Sequence, residues 1–235
     1  MTEQEVKDGV ERVLYGWGFK VEKIPEDPVV PTPDLLAIGD FRYVIEVKTK
    51  EDDPTEVSGR QQALREGRIV EISSAFVPRN TLSKIMKDGT RQLRSFAALR
   101  DFSLLWLIAR GADQTGQYEQ FRSTLYGLTN VVGPDSNRFI RCYYLHDSAF
   151  YRWRADLDGA VISTLEGLGA LCINSYSPRA EAFARSDFAA RFGTAIVSPS
   201  SEEGRREAYI ADCEIDRRDE GAVLRYLCNK YRRPN

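Results

Sequence analysis

Asp34, Glu46 and Lys48 are the residues of this chain whose types and spacing most directly allow chemistry. Pro33-Asp34 is followed, after eleven intervening residues, by Glu46-Val47-Lys48. Side chains alternate in direction along a strand, so Glu46 and Lys48 share one face while Ile45 and Val47 take the other. Two carboxylates and an ammonium brought together suit metal-assisted phosphodiester hydrolysis. Mg²⁺ is a hard ion that prefers oxygen ligands and keeps several waters, so one or two carboxylates suffice to hold it. Such an ion polarises a phosphate and lowers the pKa of a bound water. A neighbouring lysine can orient or deprotonate that water, or neutralise charge developing on phosphoryl oxygens.

The elements that must position these groups are legible around them. Leu35–Ile38 is an apolar run, Gly39-Asp40 is a turn signal, and Tyr43–Lys48 is rich in β-formers, so the stretch reads as a β-hairpin. A two-residue Gly39-Asp40 turn would set Asp34 opposite Ile45, on the wrong face. For the two carboxylates to meet, residues 39–41 must all lie in the loop or the strand must carry a bulge. Upstream, Val6, Val10, Val13, Leu14 and Trp17 form a helical stripe over 3–17, with Thr2 and Glu5 as a capping box. Glu3 projects close to that stripe and Glu11 lies at its edge. Gly18 ends the helix, residues 19–24 alternate as a strand, and the four prolines between 25 and 33 make an extended connection.

Beyond the hairpin, 51–59 is an acidic, turn-like stretch, after which bases outnumber acids as far as Arg110. Residues 81–100 predict an amphipathic helix with Leu82, Ile85, Met86, Leu93, Phe96 and Ala97 inward and Lys84, Lys87, Arg91 and Arg94 outward. Such a face is solvated, or, this close to the motif, it meets phosphates. Leu104–Ala109 is a buried strand. The polar loop 111–117 is the internal boundary, dividing the chain into 1–110 and an additional region, 111–235. That region predicts helices near 118–128, 179–191 and 219–232. Its strands are expected at 139–145, 160–163, 170–175, 194–198 and 208–212, an α/β or α+β pattern whose role, substrate choice or assembly, is open.

The Pro33-Asp34 and Glu46-Val47-Lys48 pattern, with its order of helix, strand, hairpin, basic helix and strand over residues 1–110, resembles the PD-(D/E)XK nuclease superfamily. The Gly18-Phe19-Lys-Val and Asp34-Leu-Leu-Ala phrases are similar to archaeal Holliday-junction resolvases and related restriction-type enzymes. The resemblance implies an α/β, restriction-endonuclease-like core: a central mixed sheet flanked by helices. It implies a metal-dependent endodeoxyribonuclease in which Asp34, Glu46 and the Val47 carbonyl bind Mg²⁺ or Mn²⁺ and Lys48 activates or orients the attacking water. Many members add a first-helix glutamate, for which Glu3 is the choice by face and Glu11 the second. Gln92, four residues before Phe96, is similar to the Gln-xxx-Tyr helix motif of one branch, with Phe in place of Tyr. DNA is the implied partner, with Lys50, Lys84, Lys87, Arg91 and Arg94 as its contacts, and a homodimer would supply one active site per strand. The alternative is a catalytically inactive module that uses the same fold to bind nucleic acid or protein.

Composition sets the remaining bounds. With 33 basic and 35 acidic residues among 235, the net charge of −2 argues against a general polyanion-coating protein, so a nucleic-acid surface would be local. No apolar run approaches the ~20 residues of a membrane span, and the acidic start is unlike a signal peptide, so a cytoplasmic location is expected. Cys142, Cys172, Cys213 and Cys228 lack CxxC spacing and read as buried thiols. His146 reads as a hydrogen-bonded structural histidine. Asp212, Glu214 and Asp216 read as the wet side of an edge strand, with a cation site as the alternative. No phosphate-cradling glycine loop is present, so no nucleotide cofactor is expected.

Overall fold

Thr2 starts the first helix with a reciprocal cap. Its side chain accepts from the Glu5 N–H, and the Glu5 carboxylate accepts from the Thr2 N–H at 2.5 Å. Helix α1 (Glu3–Gly16) buries Val6, Val10 and Leu14, and Gly18, at φ 91°, turns the chain into β1 (Lys20–Lys23). The computed structural model describes residues 2–70, 80–98, 100–133, 138–165, 167 and 169–232. Next in the chain come β2 (Leu35–Ile38), β3 (Arg42–Lys50), α2 (Pro54–Arg65), α3 (Asn80–Phe96), β4 (Phe102–Ala109) and α4 (Gln114–Tyr126). They are followed by β5 (Thr129–Val132), β6 (Phe139–Tyr143), α5 (Ala149–Arg152), β7 (Gly159–Thr164) and β8 (Gly169–Ile173). The chain ends with α6 (Ala180–Ala184), α7 (Asp187–Ala190), β9 (Ile196–Val197), α8 (Pro199–Gly204), β10 (Ala208–Ile210) and α9 (Glu220–Tyr231).

Seven strands form one mixed sheet in the order β1-β2-β3-β4-β7-β8-β9. Strands β3, β4 and β7 run parallel at its centre, and β1-β2-β3 and β7-β8 pair antiparallel. Every residue of β4 is buried, as a central strand covered on both faces requires. One face carries α1 with α6 and α7, where Val6, Leu14, Ile45, Trp106, Phe183 and Phe188 share a core. The other carries α3 and α4, with Val44, Met86, Leu93, Leu105, Phe121 and Tyr143 in a second, larger core. A smaller sheet, β10-β6-β5, closes over that second core. The large sheet thus runs on past residue 110, with β7, β8 and β9 adding to the strands of the first half. Among the described residues no helix is long and apolar enough to cross a membrane.

Several elements differ from the sequence expectation. The stretch 51–59 is helical from Pro54 onward: the Asp53 carboxylate accepts from the Thr55 N–H at 2.8 Å, and proline fits the first helical position because the N–H it lacks would have no partner within the helix there. This helix buries only Ala63, so it shows no apolar stripe. The basic helix stops at Phe96, short of residue 100, and the helix expected near 118 begins at Gln114 behind an Asp113 cap. The helix expected over 179–191 is two short ones, because Ser186 caps a new start by accepting from the Ala189 N–H. Strand β10 ends at Ile210, so Asp212, Glu214 and Asp216 follow it without forming an edge. Each goes to a different partner: Asp212 to Lys230, Glu214 to Tyr151 and Asp216 to Arg218. All four cysteines are free thiols, Cys142 and Cys172 buried as expected, but Cys228 exposed on α9.

Candidate active site

The hairpin register decides whether the motif can assemble. Strands β2 and β3 pair Leu35 with Ile45, Leu36 with Val44, Ala37 with Tyr43 and Ile38 with Arg42. Residues 39–41 therefore form a three-residue loop, closed by the Gly39 N–H donating to the Phe41 carbonyl at 2.9 Å. The next cross-strand position sets Asp34 beside Glu46, on the α3 face, as the expectation of a three-residue connection requires. Asp187 of α7 holds the loop in place: its carboxylate accepts from the Asp40 N–H at 3.0 Å and from the Tyr43 hydroxyl. Gly39 is required here, since a Cβ would lie 2.0 Å from an Asp187 oxygen.

Strand β3 outruns β2. Its residues 46–50 continue to pair with β4 but pass the start of β2, which opens a notch at that end of the sheet. Asp34 fills the mouth of the notch. One carboxylate oxygen accepts from the Val47 N–H at 2.8 Å, and the other meets Lys7 Nζ at 2.7 Å. A strand residue directs its N–H and C=O to the same side, so the Val47 carbonyl also points into the notch. Glu46 is 1% exposed; its Oε1 lies 2.5 Å from Lys48 Nζ, and its Oε2 is buried without a hydrogen-bond partner. Gln92 of α3 holds Lys48 from the other side, its Oε1 accepting from Nζ at 2.8 Å. The Gln92 amide in turn donates to the Thr32 carbonyl at 2.8 Å, tying α3 to the proline-rich connection. Two clefts flank the group: one of about 180 Å³ beside Glu3, Val47 and Lys48, and one of about 330 Å³ beside Lys7, Asp34 and Gln92.

The electrostatics follow from this burial. Desolvation, and secondly the Asp34 charge, push the Glu46 carboxyl up to about 8, against the pull of Lys48. Glu3 goes the other way: its hydrogen bond and charge interaction with Lys7 hold its carboxyl below the usual range. Burial alone would lower the Lys7 ammonium, but hydrogen bonds to Asp34 and Glu3 outweigh it and raise its pKa. Lys7 thus stays charged between two carboxylates.

Of the residues singled out from sequence, Asp34, Glu46, Val47, Lys48 and Gln92 come together, with Glu3 at the rim, 3.0 Å from Lys7. Glu11 does not join them; its carboxylate pairs with Lys23 at 3.1 Å. Lys84, Lys87, Arg91 and Arg94 are exposed on α3, Arg94 lying 3.7 Å from Asp156. Lys50 is turned to the Glu51 carbonyl. Sequence reasoning missed Lys7, although its position four residues after Glu3 places it on the same helix face. It also missed Gly89, which lets α3 lie on the motif strand. A Cβ there would stand 2.6 Å from Leu105 Cδ2, 3.4 Å from Glu46 Cγ and 3.5 Å from Lys48 Cε. Gly89→Val is therefore expected to lift α3 and cost about 1–3 kcal/mol by urea denaturation.

Among the described residues no three His, Cys, Asp or Glu side chains are disposed to hold a metal ion by themselves. The all-oxygen set of Asp34, Glu46 and the Val47 carbonyl nevertheless fits a hard cation that keeps waters, and the partnerless Glu46 Oε2 is an acceptor such an ion would satisfy. Comparison with family models, with curated proteins and with solved structures finds no match in any of the three. The fold itself defines an α/β protein with a seven-stranded mixed sheet flanked by helices.

Proposed function

We propose that this chain is a Mg²⁺- or Mn²⁺-dependent endodeoxyribonuclease with a restriction-endonuclease-like core, hydrolysing phosphodiester bonds in DNA. The observation that supports this reading is the pairing of Asp34 with a buried Glu46 whose second oxygen has no partner, with Lys48 two residues further along the same strand. Asp34, Glu46 and the Val47 carbonyl would hold the ion. When bound, it would polarise the phosphate and acidify a water.

The chain's own residues divide the remaining work. The Val47 N–H fixes one Asp34 oxygen, so the carboxylate presents a set direction. Gln92 and Glu46 together hold Lys48 Nζ, which orients the attacking water and offsets charge developing on the phosphoryl oxygens. The water oxygen forms the new bond to phosphorus as its proton passes to solvent, the bond from phosphorus to the displaced sugar oxygen breaks, and that oxygen takes a proton from solvent. The exposed α3 bases Lys84, Lys87 and Arg91 supply phosphate contacts beside the notch.

Titration with Mn²⁺ tests the reading. Wild-type protein should bind the ion and Asp34→Asn should lose it, along with Mg²⁺-dependent cleavage. Mn²⁺ binding that is absent, or unchanged in Asp34→Asn, would leave only a non-catalytic binding module on this fold.

A further inference from the structure

We propose that Lys7 is a built-in cation at this site: it occupies the position between Glu3 and Asp34 that a second divalent ion would otherwise take, so the site binds a single metal ion. This rests on the metal-dependent reading above and concerns how many ions that site takes and what limits the number.

Lys7 Nζ lies 3.0 Å from Glu3 Oε1 and 2.7 Å from Asp34 Oδ1, so one ammonium bridges two carboxylates as a metal ion would. Glu3 is its neighbour one turn back on α1; Asp34 it reaches from the opposite face of the sheet from α3, through the notch where β3 outruns β2. The Lys7 side chain is 18% exposed and that of Asp34 10%, so this pair is mostly shielded from solvent, whereas Glu3 closes the bridge from the exposed side. Attraction between charges is stronger there than at an open surface. With Oδ1 on Lys7 and Oδ2 on the Val47 N–H, the Asp34 carboxylate is oriented before any metal arrives. The acceptor left without a partner is Glu46 Oε2, and Lys7 makes no ion pair with Glu46 among the described residues. Glu46, the Val47 carbonyl and Asp34 would hold one ion while Lys7 keeps its place on Asp34 Oδ1.

Charge leads to the same number. Glu3, Asp34 and Glu46, when ionised, carry three negative charges, and Lys7 and Lys48 carry two positive ones. The remainder is a single negative charge, which one divalent cation turns into a single positive one. A second would leave three positive charges beside the two lysines. Lys7 is thus a positioning residue: it sets the Asp34 carboxylate and closes the second cation position without being a metal ligand.

Mn²⁺ stoichiometry, read by calorimetry and by the loss of the free-ion electron paramagnetic resonance signal, tests this without reference to activity. Wild-type protein and Lys7→Arg should bind one ion per chain. Lys7→Ala should bind two, and Lys7→Ala combined with Glu3→Ala should return to one. Lys7→Gln, which keeps a hydrogen-bond donor for Asp34, guards against loss of fold and should also bind two. Two ions in wild type, or one in both Lys7→Ala and Lys7→Gln, would overturn the assignment. No ion in any of these proteins would instead sink the metal-dependent reading itself.

Discussion

Replacing Lys48 by methionine is expected to slow DNA cleavage by roughly 10²- to 10⁴-fold, the range for removing a positioned general acid–base or charge-stabilising group. The variant separates chemistry from architecture. Methionine keeps an aliphatic stem where Lys48 passes Gly89, so α3 can remain seated on β3. Asp34, the Val47 carbonyl and Glu46 are untouched, so Mn²⁺ should still bind. Gln92 keeps its contact with the Thr32 carbonyl and still ties α3 to the proline-rich connection. What is lost is one ammonium, held between Glu46 and Gln92 and pointing into the cleft. Cleavage measured beside Mn²⁺ affinity decides the point. A normal rate would remove Lys48 from the chemistry, and loss of metal binding would make its role architectural.

The second large effect concerns stability in metal-free protein. Burial raises the Glu46 carboxyl to about 8, well above its unfolded value near 4.5. Between these two values the native state holds a proton that the unfolded chain has released, so stability falls as pH rises through that window and levels off above about 8. Below the unfolded value both states are protonated and the penalty vanishes. Glu46→Gln carries no charge at any pH and escapes it. The variant should match wild type near pH 4 and exceed it by on the order of 5 kcal/mol at pH 9. For a chain of this size that is a melting temperature higher by about 10–20 °C. Mn²⁺ should then restore about 2.7 kcal/mol of this to wild type at a hundred times Kd, and leave Glu46→Gln little changed. Thermal unfolding with EDTA and with Mn²⁺, across pH, checks both halves. Equal stabilities at pH 9 without metal would mean that burial does not hold the Glu46 carboxyl above its unfolded value.

Much of the site could be read before the structure. The need for Asp34 to face Glu46 leaves two solutions, a loop over residues 39–41 or a bulge, and the register of Leu35 with Ile45 is that of the loop. The capping box at Thr2 and the stripe of Val6, Val10 and Leu14 placed α1. What escaped was tertiary. Strand β5 is four residues with no apolar run of its own, paired only because β6 lies beside it. Helix α2 carried a legible start at Asp53-Pro54, but it buries Ala63 alone and so has no periodicity to read. Lys7 was invisible for another reason: its role depends on β3 outrunning β2, which lets α1 reach Asp34 round the end of the sheet. The extension of the large sheet by β7, β8 and β9 is likewise a matter of pairing, which the polar loop at 111–117 does not reveal.

The most direct measurement is a cleavage panel: linear, circular, branched and single-stranded DNA incubated with purified protein and Mg²⁺ or Mn²⁺, beside EDTA and beside Asp34→Asn. Cleavage of at least one form is expected with either metal, abolished by chelation and by the substitution. No cleavage of any form, or cleavage that survives both EDTA and Asp34→Asn, would contradict the proposed function.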